Sequence, residues 1–577
     1  MFINFFILST LCNQVLSFLF CGSPPSINLN YTLPVYSIQV EKRNIVPKRL
    51  TFYPYFTENF MNLQYANQLK EISLKAMKFW EDALTVKRPE KENQLVKRNC
   101  EAPNQYVTRP LGFVCRDSYC QRKAKCGHVE VPEVYTAECS EKHYDNIYMR
   151  YSNGSGIPPA SYVILMDGYK SRNCIGNRVA FAASCLMDPD TDRPILGYVN
   201  VCPGKMSVEY PNNRYSLGIF IHELGHALGF ASSSFAYMRF PNGTVRTPRD
   251  HWGVPKYRDP KGYLIPSDNT MINITRQWES SAGHFTKTFQ SFITPAIMEA
   301  AKKHLKCPTL DGVDLENMKN TGPIGTHWEG KTYGTEIMTG MINVDYAVSN
   351  LTLGFFEDSG WYIVDYKMAT TYEYGKRLGC PFATKSCYGY AQMRIRENKT
   401  FIPFCSKRFE VTCRDAYSYG VCHIVKYTTE IPEEDRFFNE SKYLGGDDPF
   451  KDYCPTQSFV SASRLYGATS FCTHTENIPL SQQGVNYYYQ TYGPKSLCVA
   501  HQNIWIHGNH HQEELSSNIK ASCHKYECNP NKTLSFYFKS QSVLCERRGQ
   551  NVQFNVTDRR TWLNGTIICP NVKKLCK

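Results

Sequence analysis

The sequence predicts an α+β fold in two parts: a mixed helix-and-strand region, then a disulfide-rich, mostly loop and β C-terminal region. Three observations carry this. Apolar residues recur at helical spacing in some stretches and gather into β-branched runs in others. Eight cysteines lie between Cys100 and Cys202 and thirteen between Cys380 and Cys576, with Cys307 alone between the groups. Helix signals fade beyond Gly379, which puts a domain boundary near 375. A chain of 577 residues has room for roughly two to four domains and a sizeable core.

The elements follow in order. Residues 2–20, FINFFILSTLCNQVLSFLF, are apolar, and no charged side chain occurs before Glu41. Position and length fit a secretory signal over 1–22, cut between about Ser17 and Gly22, with 23–50 as an N-terminal extension. A first subdomain covers 51–240. Within 58–84, Leu69, Ile72, Ala76, Phe79 and Ala83 recur at three- and four-residue steps, which predicts a helix. The polar stretch to about 155 reads as loops held by bridges, and Cys115, Cys120, Cys126 and His128 read as part of that framework rather than as a metal site. SYVILMD (161–167) and ILGYVNVC (195–202) read as strands, the second a candidate sheet edge, with FAASC and a turn-like DPDTDRP between them. The pattern turns helical from Tyr215 to about Phe230.

A central subdomain, 241–375, is rich in Pro, Gly, Asn and charge up to 330, with one helical piece near 293–306. NLTLGFFEDSGWYIVDY (350–366) reads as a helix, a Gly stop and a strand. Residues 376–577 form the Cys-rich C-terminal domain.

Composition narrows the function classes. Hydrophobic residues at 42% and charged residues at 20% exclude a mainly disordered chain and a polytopic membrane protein. The net charge of +13 is spread along the chain, and KRPEKENQLVKR (87–98) mixes acids with bases, so no nucleic-acid partner is expected. The cysteine pattern fits an oxidising compartment. Ten N-x-S/T sequons, at Asn30, Asn153, Asn242, Asn273, Asn350, Asn398, Asn439, Asn531, Asn555 and Asn564, add the expectation of a secreted glycoprotein. The C-terminus, TIICPNVKKLCK, lacks the pattern of a GPI anchor or a spanning helix.

The chemistry lies in RYSLGIFIHELGHALGF. His222 and His226 are one helical turn apart, so both imidazoles leave the same face. That spacing suits two nitrogens on one Zn2+, and Glu223 beside them is the candidate general base and acid. Leu217, Ile219, Phe220, Ile221, Leu224, Ala227 and Leu228 cover most other faces, so the helix should be buried. A catalytic zinc needs a third protein ligand. Gly229 extends the string to H-E-x-x-H-x-x-G, yet the position where a short metzincin motif carries its third histidine is Ser232. Either this is not a metzincin motif or the third ligand lies beyond an insertion.

His327, in THWEGKTYGTEIMTGMI, is followed by Met338 in a Gly-bearing turn, a pairing that fits a third ligand and a Met-turn; a plain core thioether is the other reading of Met338. His251 and His284 read as surface or loop residues, His304 as a solvent-facing helix residue, and His507, His510 and His511 as an exposed loop. Gly229 reads as a helix C-terminal residue with positive φ that also turns the chain towards the third ligand.

HELGHALGF, the displaced THWEG, the EIMTG turn and FFEDSGWY followed by GCPF resemble the leishmanolysin family, from about residue 50 to at least 390. The resemblance implies a metzincin-type zincin region with an active-site helix and a Met-turn. It implies zinc ligands His222, His226 and His327, one zinc per chain, Glu223 as catalytic acid/base and Met338 beneath the metal without ligating it. It implies a secreted metalloendopeptidase acting on proteins or peptides, extracellular-matrix or cell-surface proteins among them, with an accessory role in cell adhesion. Two alternatives stay open. One is a gluzincin, with Glu279, Glu299 or Glu336 as third ligand. The other is a catalytically silent adhesion glycoprotein built around the C-terminal domain.

Overall fold

A computed structural model of the chain describes residues 46–577 except 103–105, 110–111, 145, 177, 210–211, 318–324, 343, 459–460, 464–466, 476, 478–485, 487, 510–511, 516–518, 540, 559–560 and 577. The expected signal over 1–22, most of the 23–50 extension, and His510 and His511 lie outside the described residues.

The first layer is a four-stranded sheet. Its strands are β1 (Thr51–Phe56), β2 (Ser161–Asp167), β3 (Ala180–Met187) and β4 (Pro194–Val201), in the order β3-β4-β2-β1. β2 runs parallel to β1 and to β4, with Val163 opposite Leu196 and Asp167 opposite Asn200, whereas β3 is antiparallel to β4. Every residue of β2 and β4 is buried. Both faces of these strands are covered, which is why they read as continuous apolar runs. Tyr162, Ile164, Met166 and Val199 face the helices, and Val163, Leu165, Leu196 and Tyr198 face a separate cluster with Val96, Cys126 and Val129.

Here the expected edge is corrected. β4 lies inside the sheet, and FAASC belongs to β3, one of its two edges, β1 being the other. Its small residues pack as a strand because β4 covers them, a long-range cause that local composition does not announce.

Two helices pack on this sheet: α1 (Ala66–Ala83), within the expected 58–84, and α2 (Asn212–Ala227). The polar 240–330 stretch also holds a hairpin that the sequence did not suggest, β5 (Met271–Ser280) and β6 (Gly283–Phe292), ahead of α3 (Pro295–Leu305). α4 (Asn350–Asp358) ends where expected, with Gly360 at φ +79° before a short strand, Tyr362–Val364.

The main core gathers residues from Leu50 to Cys454. Helix signals were expected to fade past Gly379, but helices form at Cys380–Thr384 and Cys387–Arg396. They bury Phe382, Ala383, Tyr390 and Ala391 in that core, so tertiary packing holds segments of weak intrinsic helicity. Farther on, eight strands between Ser496 and Ile568 make a sheet with its own core around Trp505, Phe536, Phe538, Phe554 and Leu563.

Eleven disulfides pair every cysteine from Cys100 to Cys576. Cys115, Cys120 and Cys126 bond to Cys100, Cys139 and Cys185, so none is a free thiolate ligand. No helix among the described residues is long and apolar enough to cross a membrane.

Candidate metal centre

The central helix is α2, and its apolar faces explain its depth: Ile219, Phe220, Leu224, Ala227 and Leu228 are all in the core. Trp80 of α1 donates its Nε1–H to the Ile221 carbonyl at 2.9 Å. The Tyr162 hydroxyl of β2 donates to the Ala227 carbonyl at 2.6 Å, satisfying one of the open acceptors of the last turn. Helix and sheet are thus held in register.

Gly229 closes α2 at φ +124°, and a Cβ there would lie 2.5 Å from the Trp361 ring. Phe230 N–H reaches back to the Gly225 carbonyl at 3.0 Å, the reversal of a glycine C-cap. The same turn returns the Phe230 carbonyl to His226, whose Nδ1–H donates to it at 2.6 Å.

Each expected ligand has such a partner. His222 Nδ1–H donates to the Ile337 carbonyl at 2.6 Å, and His327 Nδ1–H to the Glu316 carboxylate at 2.9 Å. Acceptors on Nδ1 fix the tautomer and leave each Nε2 with a lone pair. His226 Nε2 lies 2.9 Å from His222 Nε2 and 3.2 Å from His327 Nε2. Nitrogens held tetrahedrally at roughly 2.0–2.1 Å from one ion would sit about 3.3 Å apart.

Burial holds the His222 pKa well below the ordinary imidazole value, helped by His226 and His327. Burial first, then His327, holds that of His226 down to about 3. Both rings are therefore neutral at pH 7. Three buried acceptors facing one another repel unless a cation lies among them, so this donor set fits a divalent metal that takes imidazole ligands.

Glu223 and Met338 are both 0% exposed. The Met338 sulfur rises under α2 so closely that a Cβ on Gly225 would be 2.8 Å from it. A helix-interior glycine costs up to about 1 kcal/mol against alanine, and this approach accounts for it. Trp328 N–H bonds the Met338 carbonyl at 2.9 Å, tying the His327 segment to the turn.

Glu336, weighed above as a ligand, instead braces that turn. Its carboxylate accepts from Met338 N–H at 2.7 Å and from Ser349 N–H and Oγ–H at 3.1 and 2.9 Å, and burial pushes its pKa up to about 7. Glu279 and Glu299 lie on β5 and α3, and none of the three glutamates joins the histidine set among the described residues.

The other histidines divide. His251 and His284 are exposed. His304, expected to face solvent, is half-buried: it stacks on Tyr372 with centroids 4.2 Å apart and donates to the Tyr374 carbonyl at 2.7 Å. His507, expected in an exposed loop, is 4% exposed on a strand (Ile506–Asn509) against Tyr488. Sequence reasoning missed Glu316 and the Ile337 and Phe230 carbonyls, because a lone acid and two backbone oxygens carry no motif.

Comparison with known proteins identifies the family. The leishmanolysin family model matches residues 121–577. The leishmanolysin-like peptidase of Drosophila melanogaster is 30% identical over 525 residues, 87% of this chain and 76% of its own. That of Caenorhabditis briggsae is 30% identical over 529 residues, 87% and 78% of the two chains. A leishmanolysin homolog of Crithidia fasciculata is 26% identical over 326 residues, 53% of this chain and 43% of its own. Since the family match runs through all three histidines and on to the last residue, the chain belongs to the leishmanolysin family and is a metalloendopeptidase.

Proposed function

We propose that the protein is a secreted zinc endopeptidase of metzincin architecture that hydrolyses peptide bonds of extracellular proteins. The observation that carries this reading is the meeting of three buried Nε2 atoms, each ring held through Nδ1 by an acceptor. His222, His226 and His327 would hold one zinc per chain, with Met338 as the Met-turn residue below them. When bound, zinc supplies Lewis acidity that polarises a peptide carbonyl and makes water a nucleophile near neutral pH.

The protein's own groups do the rest. Glu223, adjacent to His222, takes the proton of the attacking water and delivers it to the departing amine. An extended substrate adds to β3, an edge of the sheet, through main-chain hydrogen bonds. In this reading 51–240 and 241–375 form the two walls of the cleft.

The disulfides support an extracellular location, and the sequons support a glycoprotein that acts on matrix or cell-surface partners and has an accessory adhesive role. The test is zinc content of purified protein together with chelator-sensitive cleavage of unfolded casein. Glu223→Gln should keep its zinc and lose activity by about 10³-fold. His327→Ala should lose both; a His327→Ala protein with one zinc per chain would sink the assignment.

A further inference from the structure

Among the described residues, the Cys-rich region reaches the His327 ring with Phe450. Phe450 sits in a short turn, Pro449–Lys451, capped by Asp448, which accepts from Phe450 N–H at 2.9 Å. The chain just after the turn is tied down twice. Lys287 of β6 donates to Asp452 at 2.6 Å, and Cys454 is bonded to Cys387.

From there the Phe450 ring meets the His327 imidazole nearly at right angles, 79°, with centroids 6.2 Å apart. Two glycines make room for it. A Cβ on Gly330 would lie 2.4 Å from the Phe450 carbonyl oxygen, and one on Gly340 would lie 2.6 Å from the ring. Gly330 follows His327 by three residues and Gly340 follows Met338 by two, so Phe450 presses on both segments that complete the site. The same region adds two more contacts near them. Arg414 pairs with Asp345, just past the Met338 turn, and the Phe471 ring lies 5.6 Å from the Arg214 guanidinium at the start of α2.

We infer that Phe450 is a positioning residue for the third metal ligand. The inference rests on the reading of His327 as a ligand. The Glu316 bond holds His327 at Nδ1 only, about which the ring can still swing. His222 stacks on the imidazole, 17° from parallel, and the Phe450 ring packs against it nearly at right angles, so two rings of different orientation bear on it. Nε2 then stays aimed at His222 and His226 without any contact between Phe450 and substrate.

The experiment is competition titration of zinc against a chromophoric chelator, with steady-state kinetics on the zinc-loaded full chain. Phe450→Ala should bind zinc about 10–100-fold more weakly and lose kcat with little change in KM. Phe450→Leu, which keeps most of the volume, should fall between it and the wild type. Wild-type zinc affinity in a folded Phe450→Ala protein overturns the proposal, and so does unchanged affinity with a raised KM, which would mark a substrate wall. If Phe450→Ala does not fold by circular dichroism, wild-type affinity in Phe450→Leu overturns it instead. His327→Ala separates the two levels. If it keeps zinc, the ligand reading fails and this inference with it; if it loses zinc while Phe450→Ala does not, only this inference fails.

Discussion

Two buried histidine clusters can be compared among the described residues, and their difference is instructive. One is His222, His226 and His327 under the four-stranded sheet. The other is in the C-terminal sheet, where His501 and His524 flank Ser522, and His501 stacks on Trp505 with centroids 3.3 Å apart. Burial is alike in both. Burial holds the His524 pKa down to about 3 and that of His501 well below the ordinary value, as at His222 and His226.

What differs is where the Nε2 atoms point. In the C-terminal cluster both end 2.7 Å from the Ser522 Oγ, and a hydroxyl can donate to one ring while accepting from the other. In the His222, His226 and His327 group the Nε2 atoms lie against one another, with no hydroxyl between them among the described residues. Buried, weakly basic histidine is therefore no metal signal by itself; lone pairs that converge with no donor among them are.

The contrast can be broken at several points. Metal removal should have the largest effect. Zinc at about a thousand times its Kd adds about 4 kcal/mol to the folded state, so a chelator should abolish cleavage and lower the unfolding temperature. An unfolding temperature indifferent to chelator would erase the distinction between the clusters.

Glu316→Ala comes next. Without the carboxylate that orients His327, zinc affinity should fall by about 10–100-fold in the same competition titration.

Ser522→Ala probes the other side. It leaves two buried imidazole nitrogens without their shared partner, at a cost of about 1–3 kcal/mol in urea unfolding, with zinc content unchanged. A Ser522→Ala protein that took up a second zinc would show that the hydroxyl alone separates the clusters.

The smallest effect is that of mild acid. The folded-state pKa of His524, about 3, lies below its free value of 6.5, so the unfolded chain binds more protons below 6.5 and stability rises with pH. The contribution is whole above 6.5 and is lost progressively as pH falls towards 3. Between pH 7 and 6 it should amount to about 0.7 kcal/mol for this residue, read as the difference in urea midpoints between wild type and His524→Gln. Equal pH slopes in the two proteins would remove it.

Legibility followed the range of the interaction. α2 and its histidine pair were readable because a 3.6-residue period and a four-residue spacing are local facts. β2 and α4 were readable for the same reason. β3 was not, because alanines and serines become a strand only against β4. The β5–β6 hairpin hid in a polar stretch, since its two-residue turn, Ser281–Ala282, lacks the usual Asn-Gly signal. His507 looked exposed in HGNHH and is covered by Tyr488 from an earlier segment.

By itself the sequence determined which side chains could hold a metal, that Ser232 stands where a short motif would carry its third histidine, and that its many cysteines fit an oxidising compartment. Only the tertiary structure decided which cysteine meets which, that Glu316 and the Ile337 and Phe230 carbonyls orient the imidazoles, and that Phe450 leans on His327. The reason is physical. A ligand's identity resides in one residue and its neighbours along the chain, whereas the groups that aim it are brought close only when distant segments pack.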